Sequence, residues 1–134
     1  MAGRLLVVVT SSDAEKVLEA MLIAANAREM GYETYLYFTL NGVEALVRGQ
    51  INRLKPSKGT ISSNLRRRAD RLGLPSSLED FYDELRSAGV RVLVDEPSLL
   101  AAGLTRGDLL PVDGLAGPGL PAAVAGEGGG VIVL

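Results

Sequence analysis

The residues best placed to do chemistry are Asp95 and Glu96, which end the string Gly89-Val90-Arg91-Val92-Leu93-Val94 and precede Pro97. Adjacent carboxylates at the carboxyl end of an apolar strand could hold a hard cation, or one could act as an acid or base with a raised pKa. Hard-cation sites recruit more than two carboxylates, so a plainer account weighs more: acidic groups favour the dipole of a following helix, and Pro97 suits its first turn. A second turn, Thr10-Ser11-Ser12-Asp13, has hydroxyls and amides that could take a phosphate or sulfate. It contains no glycine and matches neither nucleotide-binding loop pattern, and Asp13 repels an anion. An ordinary helix N-cap is the better account there. Open α/β sheets bind ligands beyond the carboxyl ends of their strands. Ser11, Ser12, Asn41, Asp95 and Glu96 therefore form one candidate crevice for an anion or other small ligand.

Whole chemistries are missing from the chain, which contains no cysteine and no histidine. Thiolate nucleophiles, persulfide carriers and thiolate zinc sites need the first, and imidazole bases need the second. No metal and no cofactor is expected. No base, nucleophile or electrophile stands at a readable spacing from Asp95 or Glu96, so an enzyme is the least supported class. The overall balance of 14 basic and 16 acidic residues excludes a general nucleic-acid binder. Eight of the basic residues nevertheless fall between positions 48 and 71: Arg48, Arg53, Lys55, Lys58, Arg66, Arg67, Arg68 and Arg71, against one acid, Asp70. An anionic ligand, RNA or an acidic partner would suit such a segment. It has no aromatic side chains for base stacking, and a solvated basic loop, whose consecutive arginines have no acidic relief, is the plainer account.

These residues need elements to position them. Residues 4–10 form a continuous β-branched-rich run, as expected of a strand covered on both faces. A helical pattern follows over 14–30, ended by Gly31. Its centre, Ala20-Met21-Leu22-Ile23-Ala24-Ala25, is apolar nearly all round, more than one sheet-facing stripe requires. Residues 32–40 read as a second strand, with Tyr32, Tyr35, Tyr37 and Phe38 as sheet residues. Val43, Leu46, Val47 and Ile51 then sit at helical spacing, and a short helix is expected around 65–72. Ser77-Leu78-Glu79-Asp80 resembles a capping box in an Asp variant and opens a helix that Gly89 closes. A third strand over 90–94, a short helix over 98–102, a fourth strand over 109–112, a brief helix around 120–125 and a last strand over 131–134 complete the pass. The alternation predicts one α/β domain over residues 1–134: three layers around a mostly parallel, five-stranded, flavodoxin-like sheet, with strand order open. No run is long enough to cross a bilayer, and the opening residues lack the apolar stretch of a secretory signal, so the cytoplasm is the expected location.

The order of these segments resembles that of the DsrE/DsrF-like family of sulfur-relay proteins. The opening LLVVVTSSDAEKV, the phrase YFTLNGVEALV with its aromatic-Thr-x-x-Gly pattern, and GVRVLVDEPSLLAAGLTRGDLL each have a counterpart there, in the same order. The resemblance places Asp95 where many members carry the cysteine that accepts a persulfide. A carboxylate oxygen cannot carry transferable sulfane sulfur, and the chain has no other cysteine to take over. The resemblance thus implies a non-catalytic member, a structural or regulatory subunit around sulfur-relay chemistry. It further implies a homotrimer or homohexamer, with a cysteine-bearing DsrE-like or sulfurtransferase partner. The alternative from another class is a small-anion or nucleotide-binding module using the crevice.

Overall fold

A computed structural model describes residues 3–134. Five strands, β1 (Arg4–Val9), β2 (Glu33–Phe38), β3 (Arg91–Asp95), β4 (Gly114–Ala116) and β5 (Gly130–Val133), form one sheet in the order β4-β3-β2-β1-β5. Every pairing is parallel. Five α-helices accompany them: α1 (Ala14–Glu29), α2 (Thr60–Arg67), α3 (Leu78–Ser87), α4 (Glu96–Ala101) and α5 (Leu120–Gly126). The three-layer α/β expectation holds, and the strand order left open by the sequence is now defined.

The two faces of the sheet are covered unequally. Val7, Val9, Leu36, Phe38, Val92 and Val94 point to the main core, where Val17, Ala20, Met21 and Ala24 of α1 meet Tyr82 and Leu85 of α3. Leu6, Val8 and Tyr37 point to the other side, and Val124 of the short α5 is the buried helical residue that meets them. The extra apolar surface of α1 is partly taken up by α3, and Leu22, Ile23 and Ala25 stay half-buried. No helix among the described residues is long and apolar enough to cross a membrane.

Several elements differ from the sequence reading. The helix expected from Val43 to Ile51 is two 3-10 segments, Leu40–Leu46 and Ile51–Arg53. Val47, between them, forms an antiparallel bridge with Leu109. The fourth strand lies at 114–116 rather than 109–112. Leu110 N–H is spent on Leu46 O (2.8 Å), and Pro111 has no N–H for a ladder and gives its carbonyl to Tyr82 OH (2.6 Å). Asp113 then engages β3 through both its main chain and its carboxylate, each bonding to Val92. The helix expected at 65–72 runs instead over 60–67. At α3 the hydroxyl half of the capping box forms, Ser77 Oγ accepting from Asp80 N–H at 3.2 Å, while Asn52 Oδ1 takes the Glu79 N–H at 3.1 Å.

The basic segment is not a plain solvated loop. Glu15, at the start of α1, accepts from the Arg66 guanidinium and from Ser57 N–H (3.1 Å). Arg66 therefore has the acidic relief that the sequence reading denied it, because the fold brings a carboxylate from 51 positions away.

Candidate functional site

The site grows from the end of β3. Alternation along β3 puts Asp95 on the same face as Leu93, and the parallel register sets Leu93 beside Tyr37. Tyr37 OH thus reaches forward to Asp95 Oδ1, donating at 2.6 Å. The chain turns into α4 at Asp95, whose Oδ2 caps the helix by accepting from Ser98 N–H at 3.0 Å and from Ser98 Oγ at 2.5 Å. Ser98 Oγ in turn accepts from Leu40 N–H at 2.8 Å. Leu40 is the one non-glycine residue with positive φ (52°) among those described, and it is 67 % exposed. That conformation costs about 1–3 kcal/mol and persists because the Ser98 bond and the following 3-10 turn fix it.

Asp95 is only 4 % exposed. Burial alone would raise its pKa, but the donors Ser98 Oγ, Tyr37 OH and Ser98 N–H together outweigh burial and hold it below the ordinary carboxylate value. Tyr37 moves the opposite way: burial first, then the bond to Asp95, push its phenol well above the usual range. The result is an ionised carboxylate with both oxygens engaged beside a phenol that keeps its proton. As a general base, Asp95 is the wrong group, since its charged form is the stabilised one.

The aromatic-Thr-x-x-Gly pattern has a steric cause. A Cβ on Gly42 would stand 2.1 Å from the carbonyl oxygen of Val9, so only glycine lets this turn lie against the end of β1. Thr39 N–H donates to the same Val9 oxygen at 3.0 Å. The turn and α4 together border an open cavity of about 450 Å³, lined by Leu40, Asn41, Val43, Glu44, Asp95 and Ser98, with Pro97 and two alanines of α4.

Of the five residues predicted to share a crevice, Asn41 and Asp95 line this cavity together. Ser12 stands next to it, donating to Glu44 Oε2 at 3.3 Å. Ser11 turns inward on its own loop, where its Oγ accepts from Asp13 N–H at 3.0 Å. Glu96 is exposed and outside the lining. Asp13 occupies the N-cap position of α1 but makes no side-chain capping bond. Three amides around this turn are committed: Thr10 N–H donates to Leu134 O (2.9 Å), Asp13 N–H to Ser11 Oγ (3.0 Å) and Ala14 N–H to Lys55 O (2.8 Å). Tyr37, Leu40, Glu44 and Ser98 were missed by the sequence reading. A signal existed for Ser98, three residues after a capping Asp, and for Tyr37, which shares the parity of Asp95. Nothing in the string signals Leu40 or Glu44.

The profile of the DsrE/DsrF/DrsH-like family matches residues 2–83, more than half of the chain. The chain belongs to this family. The match ends before β3, so Asp95 stands outside it. Among solved structures, this DsrE-like chain is similar to a protein of unknown function, MTH1491 from Methanobacterium thermoautotrophicum. The TM-score is 0.66 at 20% identity, over 98% of each chain. It is also similar to the ychN protein from E. coli, at a TM-score of 0.66 and 16% identity, over 98% of this chain and 99% of that one. Both likenesses are likenesses of fold. No curated protein matches the chain.

Proposed function

We propose that this chain is a non-catalytic DsrE-like subunit, structural or regulatory, that assembles with itself and with a cysteine-bearing relative around sulfur-relay chemistry. One observation carries the reading. The residue at the end of β3, where the family resemblance sets a persulfide-carrying cysteine, is a buried carboxylate whose oxygens are consumed by Tyr37 and Ser98. That arrangement serves the fold of the turn rather than a reaction. Half-buried Leu22 and Ile23 on α1 and a second sheet face covered mainly by seven-residue α5 support self-association as a trimer or hexamer. The alternative of a small-anion or nucleotide module has less support, because Asp95 and Glu44 line the cavity and no basic side chain does.

The test is incubation with a persulfide donor followed by mass spectrometry, for the natural chain and for Asp95→Cys. Neither is expected to gain and pass on a sulfur atom, the variant because its thiol would be buried and faces no cationic group. Efficient loading and onward transfer by the variant would mean that the nucleophile alone had been lost, and the subunit reading would fall. Light scattering decides the assembly separately, a monomer mass counting against it.

A further inference from the structure

Two exposed faces of this chain are opposite in charge and alike in carrying stray leucine-sized side chains. The first borders the Asp95 cavity. Glycine would adopt the positive φ of position 40 at less cost, yet a leucine stands there and stays exposed. Leu100 of α4, one turn after Glu96 and next to Pro97 on the helix surface, is 70 % exposed. Glu44 shares a 3-10 segment with Leu40, and both Glu44 and Glu96 are exposed. Residues 40–47 and 96–103 contain no basic residue. The second face is the outside of the strap 54–77, which crosses the start of α1 and is tied to Glu15. Its helix, α2, has no buried residue, and Ile61 and Leu72 are 77 % and 55 % exposed. Lys58 precedes Ile61 by three positions and Arg71 adjoins Leu72, both exposed, in a strap with six basic residues against one acid, Asp70. Among the described residues, Glu44, Glu96, Lys58 and Arg71 have no ion-pair partner. Like charges keep either face from pairing with its own counterpart on another copy, whereas each face suits the other.

We infer that the strap of one copy docks on the Leu40–Leu100 face of a second copy, Ile61 and Leu72 against the two leucines, Lys58 and Arg71 against Glu44 and Glu96. The inference rests on the self-association proposed above and names its surfaces. Apolar contact supplies the burial and the rim charges set the orientation. The test is sedimentation of the full chain and of two charge-reversed chains, Glu44→Lys with Glu96→Lys and Lys58→Glu with Arg71→Glu. The natural chain is expected to associate. Each reversed chain alone sets like charges face to face and should run as a folded monomer. An equal mixture restores opposite charges across the contact and should give species that contain both chains. Leu40→Gly relieves the backbone and removes one apolar contact, so the chain should fold as before and associate about tenfold more weakly. That variant decides the matter if a reversed chain does not fold. A natural monomer would overturn self-association and this contact with it. A natural oligomer whose mass ignores these changes, or reversed chains that stay apart on mixing, would overturn the contact and leave self-association standing.

Discussion

Residues 39–53 and 54–77 both lie between β2 and β3, and turn residues interrupt both, yet they are held by different forces. The first half buries Val43, Ala45, Leu46 and Ile51 in the main core and rests its turn on the carbonyl of Val9. The second half buries nothing fully; Glu15 holds Ser57 and Arg66, and Ala14 N–H holds the Lys55 carbonyl. Hydrophobic contact fixes the half that shapes the Asp95 cavity, and a polar latch fixes the half that covers α1. A packed turn can keep a carboxylate dry and committed, whereas a latched strap can be released by changing one charge.

The contrast can be broken most severely at Gly42. Replacing it with alanine drives a Cβ into the Val9 carbonyl, and backbone must shift. A loss of about 3 kcal/mol or failure to fold is expected, measured by urea denaturation. An unchanged midpoint would mean that the turn is looser than its geometry implies.

Asp95→Asn should come next, at about 2 kcal/mol, because an amide cannot accept from Tyr37 OH and both Ser98 donors as a carboxylate does. The change also has a pH signature. The folded pKa of Asp95 lies below its ordinary value, so the unfolded chain binds the proton more tightly. Its stabilisation is therefore present above the unfolded value, about 3.9, and is lost as pH falls through the folded one. Denaturation midpoints recorded from neutral pH down to about pH 3 should decline less steeply in the variant than in the natural chain.

The strap answers to smaller changes. Glu15→Gln removes the charge that Arg66 and Ser57 N–H share. Arg66 is 38% exposed, so solvent screening limits the global loss to about 1 kcal/mol. The local effect is larger in kind: limited proteolysis should cut first after Arg66, Arg67 or Arg68, with the site at α4 untouched. The smallest effect is expected for Arg67 and Arg68 changed together to Ser, where the one side-chain bond is local, from Arg67 to Asn64. Stability should stay within about 0.5 kcal/mol, as for ordinary surface changes. A larger loss would show that Arg67 or Arg68 also holds the strap.

Much of this fold could be read from local pattern. The runs of Val and Leu in β1 and β3, the aromatic β2 and the Gly31 and Gly89 stops mark elements whose signals are short-range. β4 could not be read that way, since Leu109, Leu110 and Val112 have the composition of a strand but are buried as a loop once Pro111 and Asp113 take other partners. The site divided along the same line. Asp95 was visible as an acid before a helix, while its burial and its bond to Tyr37, 58 positions away, depend on register between strands. Glu15 drew no notice because its role rests on Arg66, which the chain alone gives no reason to bring near.

The sheet order has a consequence for how the chain assembles in time. β1 gains β2 as a neighbour after a single helical crossover, but its other edge waits for β5, whose pairs join Leu5 to Gly130 and Val8 to Val133. Contacts between such distant positions demand closure of a very long loop and form slowly. Until they do, one side of β1 presents a row of unsatisfied amides and carbonyls next to Leu6 and Val8, which α5 has not yet been anchored to cover. β1, β2 and β3 should come together early and β5 last, and the interval between those events is when this chain is most exposed to pairing with the wrong strand.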